Sequence, residues 1–158
     1  MEHYTALSPY LKRRFGCKVY KLSLSAGCTC PNRDGTLGAR GCIFCSGSGE
    51  FAASCTAPIP EQLEQAKYIL GKKAQGAKFI AYFQDFTNTY GAVSRLEPLF
   101  LAAMEPDDVV ALSIATRPDC LPEDILRMLS RLRARKPVFV ELGLQTVHQA
   151  SAHYIRRG

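Results

Sequence analysis

Lys78-Phe-Ile-Ala-Tyr-Phe83, Ser94-Arg-Leu-Glu-Pro-Leu-Phe-Leu-Ala-Ala-Met104 and Val109-Val-Ala-Leu-Ser-Ile-Ala115 follow one another mid-chain, and their order decides the fold. The outer two are short apolar runs, as strands covered on both faces require. The middle segment has helical length, but Pro98 carries no amide hydrogen, so its helix is expected to begin anywhere between Ser94 and Glu97.

The same alternation extends outward. Upstream, Lys18–Leu24 sets Tyr20, Leu22 and Leu24 on one face and Val19, Lys21 and Ser23 on the other, a first strand. Pro60 suits the first turn of a helix that carries Leu63, Ala66, Leu70 and Ala74 at helical spacing and is closed by Gly76. Downstream, Pro122 opens a helix to about Arg135, with Ile125, Leu129 and Leu132 facing inward. Val138–Leu142 is a fourth strand, and a further helix starts after Gln145. Residues 1–16 are left as an N-terminal extension. Strands alternating with helices make βαβ units, hence an α/β fold with a parallel sheet wound as a barrel or part of one.

The 158 residues amount to about one domain, and 47% hydrophobic with 22% charged residues is the composition of a packed chain. No apolar run approaches the roughly 20 residues of a membrane-spanning helix. The first residues lack a basic segment followed by an apolar one, so the expectation is a cytoplasmic protein with no membrane partner. Twenty Lys and Arg outnumber 14 Asp and Glu, which is compatible with an RNA substrate. The basic clusters Lys12-Arg13-Arg14, Lys72-Lys73 and Arg131 through Lys136 nevertheless fall at helix ends, where cations complement the helix dipole. His3, His148 and His153 are read as terminal or surface residues.

Seven cysteines, an odd number, fit a disulfide framework poorly and suggest metal or redox chemistry in a reducing compartment. Cys17, Cys55 and Cys120 stand singly, while Cys28, Cys30, Cys42 and Cys45 crowd the loop after the first strand (residues 27–50), which Gly35, Gly38, Gly41, Gly47 and Gly49 keep irregular. A closed zinc site or an electron-transfer iron–sulfur site would need a fourth ligand, which Cys28 or Cys55 could supply. Three thiolates would instead leave one iron of a [4Fe–4S] cluster open. Polar residues follow the other strands too: Gln84-Asp85, Thr116-Arg117-Pro118-Asp119 and Gln145-Thr146. In a parallel sheet wound this way the reactive groups belong at those ends.

The segment Cys30-Pro-Asn-Arg-Asp-Gly-Thr-Leu-Gly-Ala-Arg-Gly-Cys42-Ile-Phe-Cys45, with Tyr82-Phe83-Gln84, Thr116-Arg117-Pro118-Asp119-Cys120 and Glu141-Leu-Gly-Leu-Gln145-Thr146, resembles the YhcC-like branch of the radical S-adenosylmethionine (SAM) proteins, related to the elongator-type members. The eleven residues between Cys30 and Cys42 depart from the shorter gap of the commonest radical SAM pattern but match this branch. The resemblance runs from about residue 8 to the last residue. It implies a [4Fe–4S] cluster on Cys30, Cys42 and Cys45, because the ligand directly precedes Pro-Asn-Arg-Asp-Gly, with SAM on the open iron. It also implies reduction by a flavodoxin or ferredoxin, and SAM cleavage to a 5′-deoxyadenosyl radical that takes hydrogen from an unknown substrate. Phe44 is implied near the adenine, Gln84 at the methionine amine, Arg117 at the methionine carboxylate and Gln145 at the ribose; Asn32, Arg33 and Asp34 are left to shape the loop. The catalytic residues are left unknown. Relatives of this branch are about twice as long, so the chain is expected to be the N-terminal part of a radical SAM domain, a partial (βα) barrel cut after about four units.

Overall fold

Each apolar run becomes a strand and each amphipathic stretch between strands becomes a crossover helix. A computed structural model of the chain describes residues 4–45 and 57–157. His3, Gly47, Gly49 and Cys55 lie outside the described residues, as does the end of the cysteine loop. The order is α1 (Leu7–Phe15), β1 (Val19–Leu24), α2 (Ile59–Leu70) with a 3-10 turn (Gly71–Ala74), β2 (Lys78–Phe83), α3 (Val93–Met104), β3 (Val109–Thr116), α4 (Glu123–Arg133), β4 (Val138–Leu142) and α5 (Gln149–Tyr154). The four strands form one sheet in the order β1-β2-β3-β4, every pair parallel. Leu22 is level with Ala81, Ala81 with Leu112 and Leu112 with Val138, so one apolar row crosses all four strands.

That row faces α2, α3 and α4. Leu63 and Ala66 of α2, Leu96 and Phe100 of α3, and Ile125, Met128 and Leu132 of α4 pack on Leu22, Leu24, Ala81, Phe83, Leu112 and Ile114 in one core. Phe83 and Phe100 are both fully buried and meet edge to face at 5.0 Å, the arrangement that the ring quadrupoles favour. Helix α4 shows why its sequence folds as it does. Ile125, Met128, Leu129 and Leu132 make one buried stripe, with Glu123 and Asp124 in the first turn and Arg131 and Arg133 in the last.

The opposite face of the sheet is divided along its length. At the N-terminal end of the strands, Leu11 of α1 packs with Ile80 and Ala111, flanked by Val19 and Phe139. Toward the C-terminal end the same face carries Lys21, Tyr82, Ser113 and Glu141.

Three elements differ from the sequence reading. Residues 7–15, left within an extension, form α1, closed by Gly16 at φ +73° with its N–H on the Lys12 carbonyl. Pro98 does not delay α3, which starts at Val93. The hydrogen bond it removes belongs to the Ser94 carbonyl, and both residues are solvent-exposed, so water replaces it. Helix α2 ends at Leu70, before the expected Gly76, and the chain tightens into the 3-10 turn at Gly71. Among the described residues, no helix is long and apolar enough to cross a membrane.

Candidate functional site

The C-terminal strand ends enclose a cavity of about 430 Å³. Cys30, Cys42, Phe44 and Cys45 from the loop after β1 line it, together with Gln84 after β2, Arg117 after β3 and Gln145 after β4. Every residue expected at the site therefore reaches one space.

The cysteine loop holds its shape through its own turns. The Cys30 carbonyl accepts from the amides of Arg33 and Asp34, the Pro31 carbonyl from Leu37 and Gly38, and the Asn32 carbonyl from Gly41 at 2.7 Å. The Cys45 amide then closes on the Cys42 carbonyl at 3.0 Å. Gly41 sits at φ +70°, and a Cβ there would stand 3.0 Å from the Arg33 guanidinium, so both backbone and space call for glycine. Arg33 donates to the Cys45 carbonyl at 3.1 Å and lies 5.4 Å from the centre of the Phe86 ring, tying the two ends of the motif together. Asp34 accepts from the Thr36 amide, an Asx turn. Asn32 donates to the Arg156 carbonyl at 2.9 Å, just past α5, and to the Cys42 sulfur at 3.3 Å. All three loop polar residues thus bond backbone, as their types suggested.

Cys28 lies apart, buried in the core beneath α2 and α3. Its sulfur accepts from Arg95 Nη2 at 3.1 Å, while Nη1 of the same guanidinium holds the Ala26 carbonyl at 2.7 Å. Burial pushes the Cys28 thiol pKa up, and Arg95 offsets only part of that rise. Cys120 is buried as well, and its thiol too is pushed up, first by burial and then by Asp119. Among the described residues, no three His, Cys, Asp or Glu side chains converge as a single metal ion would require. Cys30, Cys42 and Cys45 share a cavity wall instead.

The opposite walls are polar. Arg117 is 3% exposed, and its fork grips Asp119 through Nε at 2.8 Å and Nη2 at 2.6 Å. The side expected to meet a methionine carboxylate therefore already holds a carboxylate of this chain. The pair holds the Asp119 carboxyl below the usual range and Arg117 firmly charged. Gln145 is exposed at φ +73°, which turns the chain sharply after β4. Asp85, beside Gln84, is buried with Oδ2 lacking a hydrogen-bond partner among the described residues, and burial pushes its carboxyl up.

A polar cluster across the sheet, which contributes Tyr82 and Glu141 to the cavity lining, was not among the site residues expected. Glu141 Oε1 accepts from Lys21 Nζ and from Ser113 Oγ, each at 2.5 Å, and Lys21 lies 3.8 Å from the centre of the Tyr82 ring. These four residues come from β4, β1, β3 and β2. Burial pushes the Glu141 carboxyl up, but its bonds from Lys21 and Ser113 outweigh that and hold it below the ordinary range. Burial, reinforced by Glu141, pushes the Tyr82 phenol up to about 12. The available signal was a charge or hydroxyl inside an otherwise apolar strand, as with Ser113 and Glu141.

The basic helix ends gather elsewhere. Arg14 of α1 meets Arg133, Arg135 and Lys136 around a second cavity of about 390 Å³, at the N-terminal end of the strands.

No protein-family model matches the chain. It is 47% identical over 158 residues to "Uncharacterized protein YtqA" of Bacillus subtilis (strain 168), covering 99% of this chain and 49% of that protein. It is 40% identical over 151 residues to "Protein YhcC" of Escherichia coli (strain K12), covering 94% and 48%. "Uncharacterized protein MJ0486" of Methanocaldococcus jannaschii is 32% identical over 153 residues, covering 94% and 46%. The chain spans about half the length of the curated relatives it matches.

Proposed function

We propose that the chain is part of a radical SAM enzyme, a partial (βα) barrel in which Cys30, Cys42 and Cys45 hold a [4Fe–4S] cluster and leave one iron open to SAM. The observation that carries this reading is the convergence of the three thiols, Phe44, Gln84, Arg117 and Gln145 on one cavity at the C-terminal strand ends. The likeness to Protein YhcC agrees with the branch that the motifs resemble.

The donor set fits such a cluster. Zinc gathers four ligands at about 2.0–2.3 Å around one point, whereas a cubic cluster spreads its thiolates over separate corners. Here three thiols line a wall, and Cys28, the nearest further cysteine in the sequence, is engaged by Arg95 in the core. When bound, the reduced cluster supplies one electron for cleaving the SAM sulfonium to methionine and a 5′-deoxyadenosyl radical, the electron coming from a flavodoxin or ferredoxin.

The chain's own residues position and shield. Phe44, 55% exposed on the cavity wall, offers a flat apolar surface to an adenine. Gln84 offers an amide to the methionine amine, and Gln145 one to the ribose. Arg117 supplies positive charge for the methionine carboxylate beside its partner Asp119. Lys21 and Glu141 meet at 2.5 Å across β2 and β3, so charged groups from the two outer strands share this face of the sheet.

The test is anaerobic reconstitution followed by dithionite and SAM, with iron and 5′-deoxyadenosine measured. Cys30→Ala, Cys42→Ala and Cys45→Ala are each expected to lose the bound iron, whereas Cys28→Ser and Cys55→Ser are expected to keep it and the product. Iron lost on removing Cys28 or Cys55 would favour a closed four-cysteine site, either structural or for electron transfer. A wild-type cluster that yields no 5′-deoxyadenosine would mark this chain as a cluster-binding fragment.

A further inference from the structure

Asn32 is buried, 3% exposed, and its side-chain amide spends both hydrogens in different directions. It donates to the Arg156 carbonyl at 2.9 Å and to the Cys42 sulfur at 3.3 Å. The Arg156 carbonyl can only accept, so it fixes which end of the amide faces this way. Turned over, the amide would set its own oxygen against that carbonyl. The oxygen pays for this orientation: Oδ1 is buried and has no hydrogen-bond partner among the described residues. An unsatisfied buried acceptor is costly, and the fold accepts it while keeping the amide hydrogens on the sulfur and the carbonyl. The Asn32 backbone carbonyl also receives the Gly41 amide at 2.7 Å, so one residue fixes both the approach of Cys42 and the donor that meets its sulfur.

We infer that Asn32 tunes the electron affinity of the iron–sulfur group through its N–H···S hydrogen bond to Cys42, raising the reduction potential. This rests on the cluster reading above. Hydrogen bonds to ligand sulfurs are among the levers that set such potentials, because a donor stabilises the more electron-rich reduced state. Asn32 is thus a positioning residue that acts through Cys42.

The test is a redox titration of the anaerobically reconstituted 158-residue chain, followed by electron paramagnetic resonance, for wild type, Asn32→Leu and Asn32→Asp. Leucine keeps the volume and removes the donor; aspartate keeps the shape and turns an acceptor toward the sulfur. The expected midpoints fall in the order wild type, Asn32→Leu, Asn32→Asp, at equal iron content. Equal midpoints would overturn the inference while leaving the cluster reading intact. Should both variants fail to hold iron, wild-type chain labelled with nitrogen-15 only at asparagine side-chain amides decides. Asn32 and Asn88 are the two asparagines, and the Asn88 amide is spent on the Phe83 and Ala115 carbonyls. A hyperfine coupling from the label to the reduced cluster is expected, and its absence overturns the inference. A wild-type chain that takes up no iron would overturn the cluster reading, and this inference with it.

Discussion

Tyr82 stands where the sheet's apolar and polar duties meet: its ring lies beneath the Lys21 ammonium and its hydroxyl beside the Glu141 carboxylate. Burial first, then the Glu141 charge, raises its pKa from an ordinary 10.0 to about 12. The fold therefore favours the neutral phenol, while the unfolded chain ionises earlier. This group's contribution to stability is therefore complete below about pH 10 and is lost as pH rises to about 12. An ultraviolet titration should show a phenol ionising near pH 12 that vanishes in Tyr82→Phe. A wild-type titration complete by about pH 11 would contradict this environment. The residue's type and strand were plain in the sequence, but its partners were not. Lys21 and Glu141 are 120 positions apart, and only the strand register brings them together. The crowding of Cys28, Cys30, Cys42 and Cys45 in one glycine-broken loop was legible because it is a local signal, whereas only the family resemblance singled out three of them. Cys28 turns to the core, where Arg95, 67 residues later, donates to its sulfur, and that partner was not visible in the loop itself.

At the scale of elements, the crossover helices hold the strand ends in place, and α3 is their keystone. Phe100 is fully buried against Phe83, one residue before Gln84 at the cavity. Phe100→Ala should cost about 3–5 kcal/mol of folding stability, a lost ring plus the void it leaves. Urea unfolding measures this, and a loss under about 1 kcal/mol would contradict the packing. All four strands could be read in the sequence to within a residue: β2 and β3 are short apolar runs, and β1 sets its large apolar residues on alternate positions. Helix α1 was harder. Leu7, Leu11 and Phe15 have helical spacing, yet Leu11 alone among them is buried, so the stripe is narrow amid Lys12, Arg13 and Arg14. Helix α5 has six residues and none buried, so no periodicity could mark its bounds. Pro98 misdirected the reading because it lies only five residues into α3, where the Ser94 carbonyl that it leaves without an amide is exposed to water.

At the scale of the whole molecule, α2, α3 and α4 cover one face of the sheet, α1 and a polar cluster share the other, and the four strand ends border one cavity. The β4 edge is open, with Val140, Leu142 and Leu144 exposed along it, and the chain covers about half of each matched relative. Alternation alone made the α/β class and the parallel sheet legible. The cavity was foreseeable only as a consequence of winding, since no single residue announces it. The proposed radical SAM chemistry requires the loop after β1 to present three thiolates to a cluster with one open iron. Mössbauer spectroscopy of the chain reconstituted with iron-57, with and without SAM, tests this. One iron site should change its isomer shift and quadrupole splitting when SAM is added, while the other three stay unchanged. Spectra identical in both conditions, from an intact cluster, would show a closed site and contradict the proposed chemistry.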